Sequence, residues 1–460
     1  MEEGRVLRDD EGKMEDVFDR PVRPTLRQRY GESAMTGKDW TVAALCLLSA
    51  AVLCLLPEMR INLRVGLVQL AMVGLGLFAM GKRRIQKSAL FLLACDLALI
   101  LLGTMFYESF LFTVNLAAIP MLTGLALLSA AQVNGRDALS FGAVWETVRR
   151  SARGVFEYLP LPVLRIFQKR GGKANGLAAA LISLAVCVPV LLTVLLLLSS
   201  ADAVFSDRID QICAALTLRS VDHLLLRAMG AVLLGLMLFS WCFALGRPGK
   251  PMGEAKSIRI PTVFSALLLT MLDAVYALFV YIQFSHLFGG AETAAMTGGY
   301  AQYARSGFFQ LVAVAAINLG AVILALMSGR SGWVRAMAGL LIAATGVILV
   351  SAVWRMRLYI QVYGLSVLRV MTLWGAAAIG ALLIVAAIAL VKPTFRAYSA
   401  GFVCLILLWV GVNGANIDRI VAEYNVSHYQ SGELEQIDED YIRSLAPGAQ
   451  SALSRLDAAK

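Results

Sequence analysis

Charged residues are scarce in this chain, at 16% of 460 residues, where a soluble domain carries roughly 25%. With 59% hydrophobic residues and a mean hydropathy of +0.72, the apolar content exceeds what one soluble core needs. Histidine is rarer still. His223, His286 and His428 stand far apart, with no H-E-x-x-H or Cys/His spacing, so no metal site is indicated and no cofactor is implied. Seven cysteines form no CxxC pair. Cys46, Cys54, Cys95, Cys187, Cys242 and Cys404 lie in apolar runs, with Cys213 alone in a loop, which reads as packing rather than a disulfide framework. The absence of a G-x-x-x-x-G-K-[ST] loop argues against a nucleotide-driven pump within this chain, and no G-x-S-x-G elbow is present. Residues 1–39, with ten acidic and eight basic side chains, hold no apolar core or cleavage site of a signal peptide.

What is present is a succession of eleven apolar runs of bilayer-spanning length. They lie near Trp40–Leu56, Arg64–Met80, Ser88–Met105, Phe110–Ala131, Gly176–Ser199, Leu224–Leu245, Ile260–Phe288, Phe308–Met327, Trp333–Val353, Val370–Val391 and Ala397–Val412. The expected fold is all-α: a polytopic transmembrane helix bundle of about eleven spans, multi-pass in the cell (cytoplasmic) membrane. Basic residues gather in every second loop. With the N-terminus inside, the inner segments hold 28 of the 41 Lys and Arg, which points to an N-inside, C-outside arrangement. The +10 net charge therefore reflects orientation, not nucleic-acid binding.

Three domains are expected. Residues 1–39 form a charged, disordered cytoplasmic tail, 40–412 the bundle, and 413–460 an extracytoplasmic helical tail. Within the bundle, the cytoplasmic loop 132–175 carries Arg149, Arg150, Arg153, Lys169, Arg170 and Lys173 beside apolar residues. It reads as two amphipathic pieces attracted to the anionic inner leaflet. The outer loop 200–223 reads as a short half-buried helix with a solvated acidic face. In the tail, Asp438 is placed to cap a helix starting at Glu439, and Pro447 suits the first turn of another.

Two groups of residues invite a functional reading. Asp96 and Asp273 lie near the middle of the third and seventh runs. A mid-membrane carboxylate costs about 2.5–3.5 kcal/mol on insertion scales, so each faces protein or water, either in a proton relay or as a structural acid between helices. The second group lies at the outer end of the ninth run. Arg355, Tyr359 and Tyr363 share one helical stripe, Arg357 and Arg369 stand nearby, and Gly364 ends the helix. Arginines on the outer side oppose the charge bias. They call for an anionic ligand or acidic residues, or they snorkel within an aromatic belt. Asn115, Gln310 and Asn318 read as amides joining helices.

The chain resembles the bacterial multi-pass proteins catalogued as domain of unknown function 4173, close to the group numbered 4153. The resemblance rests on Tyr276-x-x-Phe279-x-x-x-Gln283-Phe284-x-x-Leu287-Phe288-Gly289-Gly290 and Tyr303-Ala304-Arg305-x-Gly307-Phe308-Phe309-x-Leu311. It continues in Arg355-Met356-x-Leu358-Tyr359-x-x-x-Tyr363-Gly364-Leu365-Ser366-x-Leu368-Arg369 and the tail Asn416-x-Asp418…Tyr424-Asn425. It implies a membrane protein of unassigned activity, with Tyr303, Arg305, Arg355, Tyr359, Arg369 and Asn416 in one outer-face unit. Asp418 lies in the same motif.

Two functional classes stand level. In the first, a transporter, channel or lipid-handling protein, Asp96 and Asp273 couple protons or ions and the outer cluster takes an anionic group. In the second, a sensor or assembly partner without a transport path, the outer tail and outer loop read an extracytoplasmic state while loop 132–175 meets an unidentified protein partner. A membrane enzyme is the remaining class.

Overall fold

The computed structural model describes residues 35–56, 58–81, 85–106, 109–130, 139, 141–168, 222–246, 260–288, 300–328, 331–445 and 448–458. Long apolar stretches free of charge become helices, because a helix satisfies its own backbone inside lipid. In chain order these are α1 (Gly37–Leu55), α2 (Ile61–Met80), α3 (Lys87–Met105), α4 (Ser109–Ala130), α5 (Phe141–Glu157), α6 (Leu161–Gln168), α7 (Asp222–Gly246) and α8 (Thr262–Phe288). They continue with α9 (Tyr300–Leu326), α10 (Gly332–Tyr363), α11 (Val367–Val391), α12 (Ala397–Gly414), α13 (Ile417–Gln430), α14 (Glu439–Ser444) and α15 (Gln450–Ala458). Among the described residues, nine helices are long and apolar enough to cross a bilayer. The chain is thus a polytopic helical bundle. The expected fifth run, Gly176–Ser199, lies outside the described residues, as do most of the 1–39 tail, nearly all of loop 200–223, Lys169, Arg170, Lys173 and Pro447. The seventh run is α8, whose described apolar stretch covers Thr262–Leu278.

The helices pack as two groups joined by one. α1, α2 and α7 pack together and reach α3 and α4 through α2, while α8, α9, α10 and α11 pack against one another. α12 lies between α11 and α3. Close approach in the first group needs glycine: a Cβ on Gly235 of α7 would stand 2.9 Å from Leu47 Cα of α1. Buried amides stitch helices together, as expected of polar groups in lipid. Asn115 donates to Asn413 Oδ1 at 2.6 Å, joining α4 to α12, and Asn318 donates to Thr345 Oγ1 at 3.0 Å, joining α9 to α10. Gln310 is exposed on α9.

Of the two amphipathic pieces expected in loop 132–175, the first falls in α5, which packs on α4 and α7, and the second in α6. Ser240 of α7 donates to Gly154 O at 2.5 Å and accepts from Tyr158 N at 2.9 Å. Buried Glu146 accepts from Arg149 and Arg150, at 2.9 and 2.6 Å. Trp145 and Phe156 remain exposed.

α10 is 32 residues long, about 48 Å at 1.5 Å per residue, while the hydrocarbon core is about 30 Å thick. Its length thus exceeds the core, and its charged residues Arg355 and Arg357 fall in its last turns. Beside them α13, α14 and α15 fold into a small appendage. Its buried Val421, Val426, Ile442, Leu445, Ala452 and Leu456 form one cluster with Met371 of α11 and Val412 of α12. Asp438 caps α14 by accepting from Tyr441 N at 2.9 Å.

Candidate functional site

Asp96 is fully buried on α3. Thr123 of α4 donates to its Oδ2 at 2.6 Å, while Oδ1 has no hydrogen-bond partner among the described residues. Thr123 also donates to Ile119 O at 3.0 Å, so its single hydroxyl proton is shared between two acceptors. Asp273 on α8 is 5% exposed, and among the described residues neither of its carboxylate oxygens has a hydrogen-bond partner. One turn along α8, Tyr276 meets Asn318 of α9, whose Oδ1 is likewise unpaired. The two acids occupy different helix groups: α3 packs on α2, α4 and α12, and α8 on α9 and α10.

The outer cluster assembles where α10 meets the appendage. Gly364 caps α10 with φ +72° and ψ −175°, a region essentially reserved for glycine. Arg369 folds back and donates to Tyr363 O at 2.8 Å and to Gly364 O. It thereby satisfies carbonyls that a helix end leaves open. Its guanidinium also lies 4.6 Å from the centre of the Tyr359 ring, and Tyr359 and Tyr363 stand 4.9 Å apart. Arg357 lies 5.9 Å from the Trp354 ring, and Arg355 lies over Gly307 of α9. Tyr303 and Arg305 fall in the first turns of α9, and their side chains lie outside the described residues.

Asn425 of α13 locks this corner. Its Oδ1 accepts from Leu365 N at 2.6 Å and its Nδ2 donates to Leu365 O at 2.8 Å. Tyr441 adds a third link by accepting from Val367 N at 2.9 Å. A groove of about 250 Å³ runs along the seam, lined by Tyr363, Ser366, Arg369, Gln436, Asp438 and Tyr441 among others. Tyr424 stacks on His428 at 3.8 Å, and burial, with the charge of Glu433, pushes its hydroxyl above the usual tyrosine range.

Asn416 and Asp418 belong to a second outer feature. With Asn62, Gln69, Asn115 and Asn413 they line a separate cavity of about 30 Å³, room for a water molecule or two. Asn416 takes the left-handed conformation, φ 44°, and its side chain accepts from Arg419 N at 3.4 Å to start α13. The outer residues thus divide between two places. Asn62, Gln69, Thr123 and Tyr441 were not singled out from the sequence. Amides and hydroxyls within apolar runs are the signal that marks the first three.

A family model described as Domain of unknown function (DUF4153) matches residues 94–456, from within α3 to within α15. No curated protein matches, and no solved structure matches.

Proposed function

Since the chain belongs to the DUF4153 family, which carries no assigned activity, we propose from its own geometry that it is a proton- or cation-coupled transporter of the cell membrane, with Asp273 as the coupling carboxyl. One observation carries the reading: the Asp273 carboxylate is buried within the apolar helix α8 and neither oxygen is hydrogen-bonded among the described residues. A buried polar group left this way calls for a reason, and intramembrane carboxyls characteristically mark proton or ion paths. A carboxyl that takes up a proton on one side and releases it on the other supplies that reason. Tyr276 and the unpaired Asn318 oxygen extend a polar line along the α8–α9 seam. Asp96, sealed and hydrogen-bonded to Thr123, serves in this reading to hold α3 on α4.

The test is proton entry into pyranine-loaded proteoliposomes under an imposed pH gradient. Asp273→Asn is expected to abolish entry, and Asp96→Asn to leave it near wild type. Equal entry with wild type, Asp273→Asn and Asp96→Asn overturns the transport reading. A sensing role draws support from one different observation, the three hydrogen bonds that fasten the appendage to the α10–α11 turn, since a fastened outer element is one an external ligand can release.

A further inference from the structure

At the end of the bundle that carries the appendage, five helices meet around the cavity of about 30 Å³. α2, α4 and α13 begin here, and α3 and α12 end here. Helix dipoles of opposite sign therefore meet, and the side chains decide what the space holds. Its polar lining is Asn62, Gln69, Asn115, Asn413, Asn416 and Asp418, all of them buried except Asn416. We propose that this cavity binds a sodium ion through the side-chain oxygens of Asn62 and Gln69 and the carboxylate of Asp418.

Three observations support that occupant. First, two buried amides have polar ends to spare. Asn62 donates to Thr104 O at 2.9 Å, which only its nitrogen can do. Its oxygen is thus the end without a hydrogen bond among the described residues. Gln69 is 8% exposed and makes no hydrogen bond among the described residues. Buried polar groups left this way call for a partner. Second, the opposite wall is already fixed by its own bonds. Trp409 donates to Asn115 Oδ1 at 2.9 Å, Asn115 donates to Asn413 Oδ1 at 2.6 Å, and Asn413 donates to Trp409 O at 2.8 Å. Such a network is rigid, and it draws on neither Asn62 nor Gln69. Third, the size and the donor set suit a small hard cation. The volume holds one or two occupants the size of water, too little for an organic ligand. Oxygen ligands select hard cations, and among the described residues no group of three His, Cys, Asp or Glu offers a transition-metal site. The described lining supplies neutral amides and one carboxylate, whereas calcium sites draw on several carboxylates. A carboxylate has about four lone-pair positions, so the contact Asp418 already makes leaves room for an ion. Held there, the ion ties the first turn of α13 to α2.

This site is separate from the Asp273 carboxyl, so each reading fails on its own test. Thermal melts and hydrogen exchange of the full chain in detergent are compared in NaCl, KCl, CaCl2 and choline chloride at matched ionic strength. NaCl is expected to raise the melt saturably and to slow exchange in 61–70 and 413–422, and choline chloride to do neither. Gln69→Leu takes an unpaired amide out of a buried place and so keeps the fold, but it is expected to need about tenfold more sodium for the same shift. Gln69→Glu keeps an oxygen there and is expected to retain the response, as is Gln310→Leu on the exposed face of α9. Equal melts and exchange in NaCl and choline chloride, as a cavity holding water alone requires, overturn the site. So does a sodium response that Gln69→Leu leaves unchanged. A response that KCl matches at the same concentration, or that CaCl2 produces at a far lower one, overturns sodium as the occupant.

Discussion

Asn425→Ala should loosen the outer appendage. The side chain is buried and makes two hydrogen bonds to one residue, accepting from Leu365 N at 2.6 Å and donating to Leu365 O at 2.8 Å. Removing it strands a backbone donor and a backbone acceptor, each costing about 1–3 kcal/mol when water is excluded. Leu365 is only half-buried, so water repairs part of the loss and about 2–3 kcal/mol is the reasonable sum. At 1.4 kcal/mol per factor of ten, the undocked population rises roughly 30- to 150-fold. Hydrogen exchange of amides in 417–445 should accelerate by a similar factor, while α1 and α2 stay unchanged. A companion variant sharpens the argument. Gly364 has φ +72°, and a Cβ placed on it overlaps Asn425 Oδ1. Gly364→Ala should therefore cost about 1–3 kcal/mol of backbone strain and also break the Asn425 pairing. In the Asn425→Ala background that pairing is already gone and only the strain remains. The double variant should fall short of the sum of the singles by about 1 kcal/mol or more. Exchange in 417–445 that stays within threefold of wild type, or strict additivity of the two changes, refutes this account of the corner.

Thr123→Val removes the hydroxyl that donates to Asp96 Oδ2 and should destabilise the bundle by about 1–3 kcal/mol, with Asp96→Asn costing less; an unchanged melt in detergent rules out this anchor. Glu146 has an acid signature: burial by itself raises its carboxyl, but the hydrogen bonds from Arg150 and Arg149 outweigh it and hold the group below the ordinary 4.5. A lowered folded-state value means stability that is present above about pH 4.5 and lost as pH falls through that lowered value. Protection of α5 amides, corrected for intrinsic exchange, should therefore drop in strong acid in wild type and stay flat in Glu146→Gln; parallel curves would count against the ion pairs. Gly235→Ala should weaken the α1–α7 contact by about 1–3 kcal/mol through overpacking, whereas Gly320→Ala, with nothing within 4 Å of its new methyl, should be neutral or gain up to about 1 kcal/mol; equal thermal melts for the two variants contradict the close approach.

Much of the architecture was legible in the sequence because lipid imposes one simple rule. A stretch of apolar residues long enough to cross must be helical, and its length and charge flanks can be counted directly. The run expected at Ser88–Met105 became Lys87–Met105, and Val370–Val391 became Val367–Val391. Helix ends that leave the bilayer escaped that rule. The run expected at Trp333–Val353 continues to Tyr363, and α9 starts at Tyr300 rather than Phe308, because outside lipid polar residues extend a helix as well as apolar ones do. Gly364 and Asp438 were readable as helix punctuation because their roles depend on local backbone chemistry.

The sequence by itself determined the class of molecule, the approximate positions of its long apolar helices, and the presence of carboxyls within apolar runs. Each is a property of a contiguous segment in a known solvent. Only the tertiary structure decided what those residues face. Asp96 found Thr123 on the next helix while Asp273 found no hydrogen-bond partner among the described residues, although both read alike as lone acids in apolar runs. Arg369 turned back onto its own helix end, Asn425 reached a turn 60 residues upstream, and Asn62, Asn413 and Asp418 came to line one cavity from separate helices. These outcomes depend on which helix lies beside which and on its rotation, and an apolar run without a polar face carries little record of either.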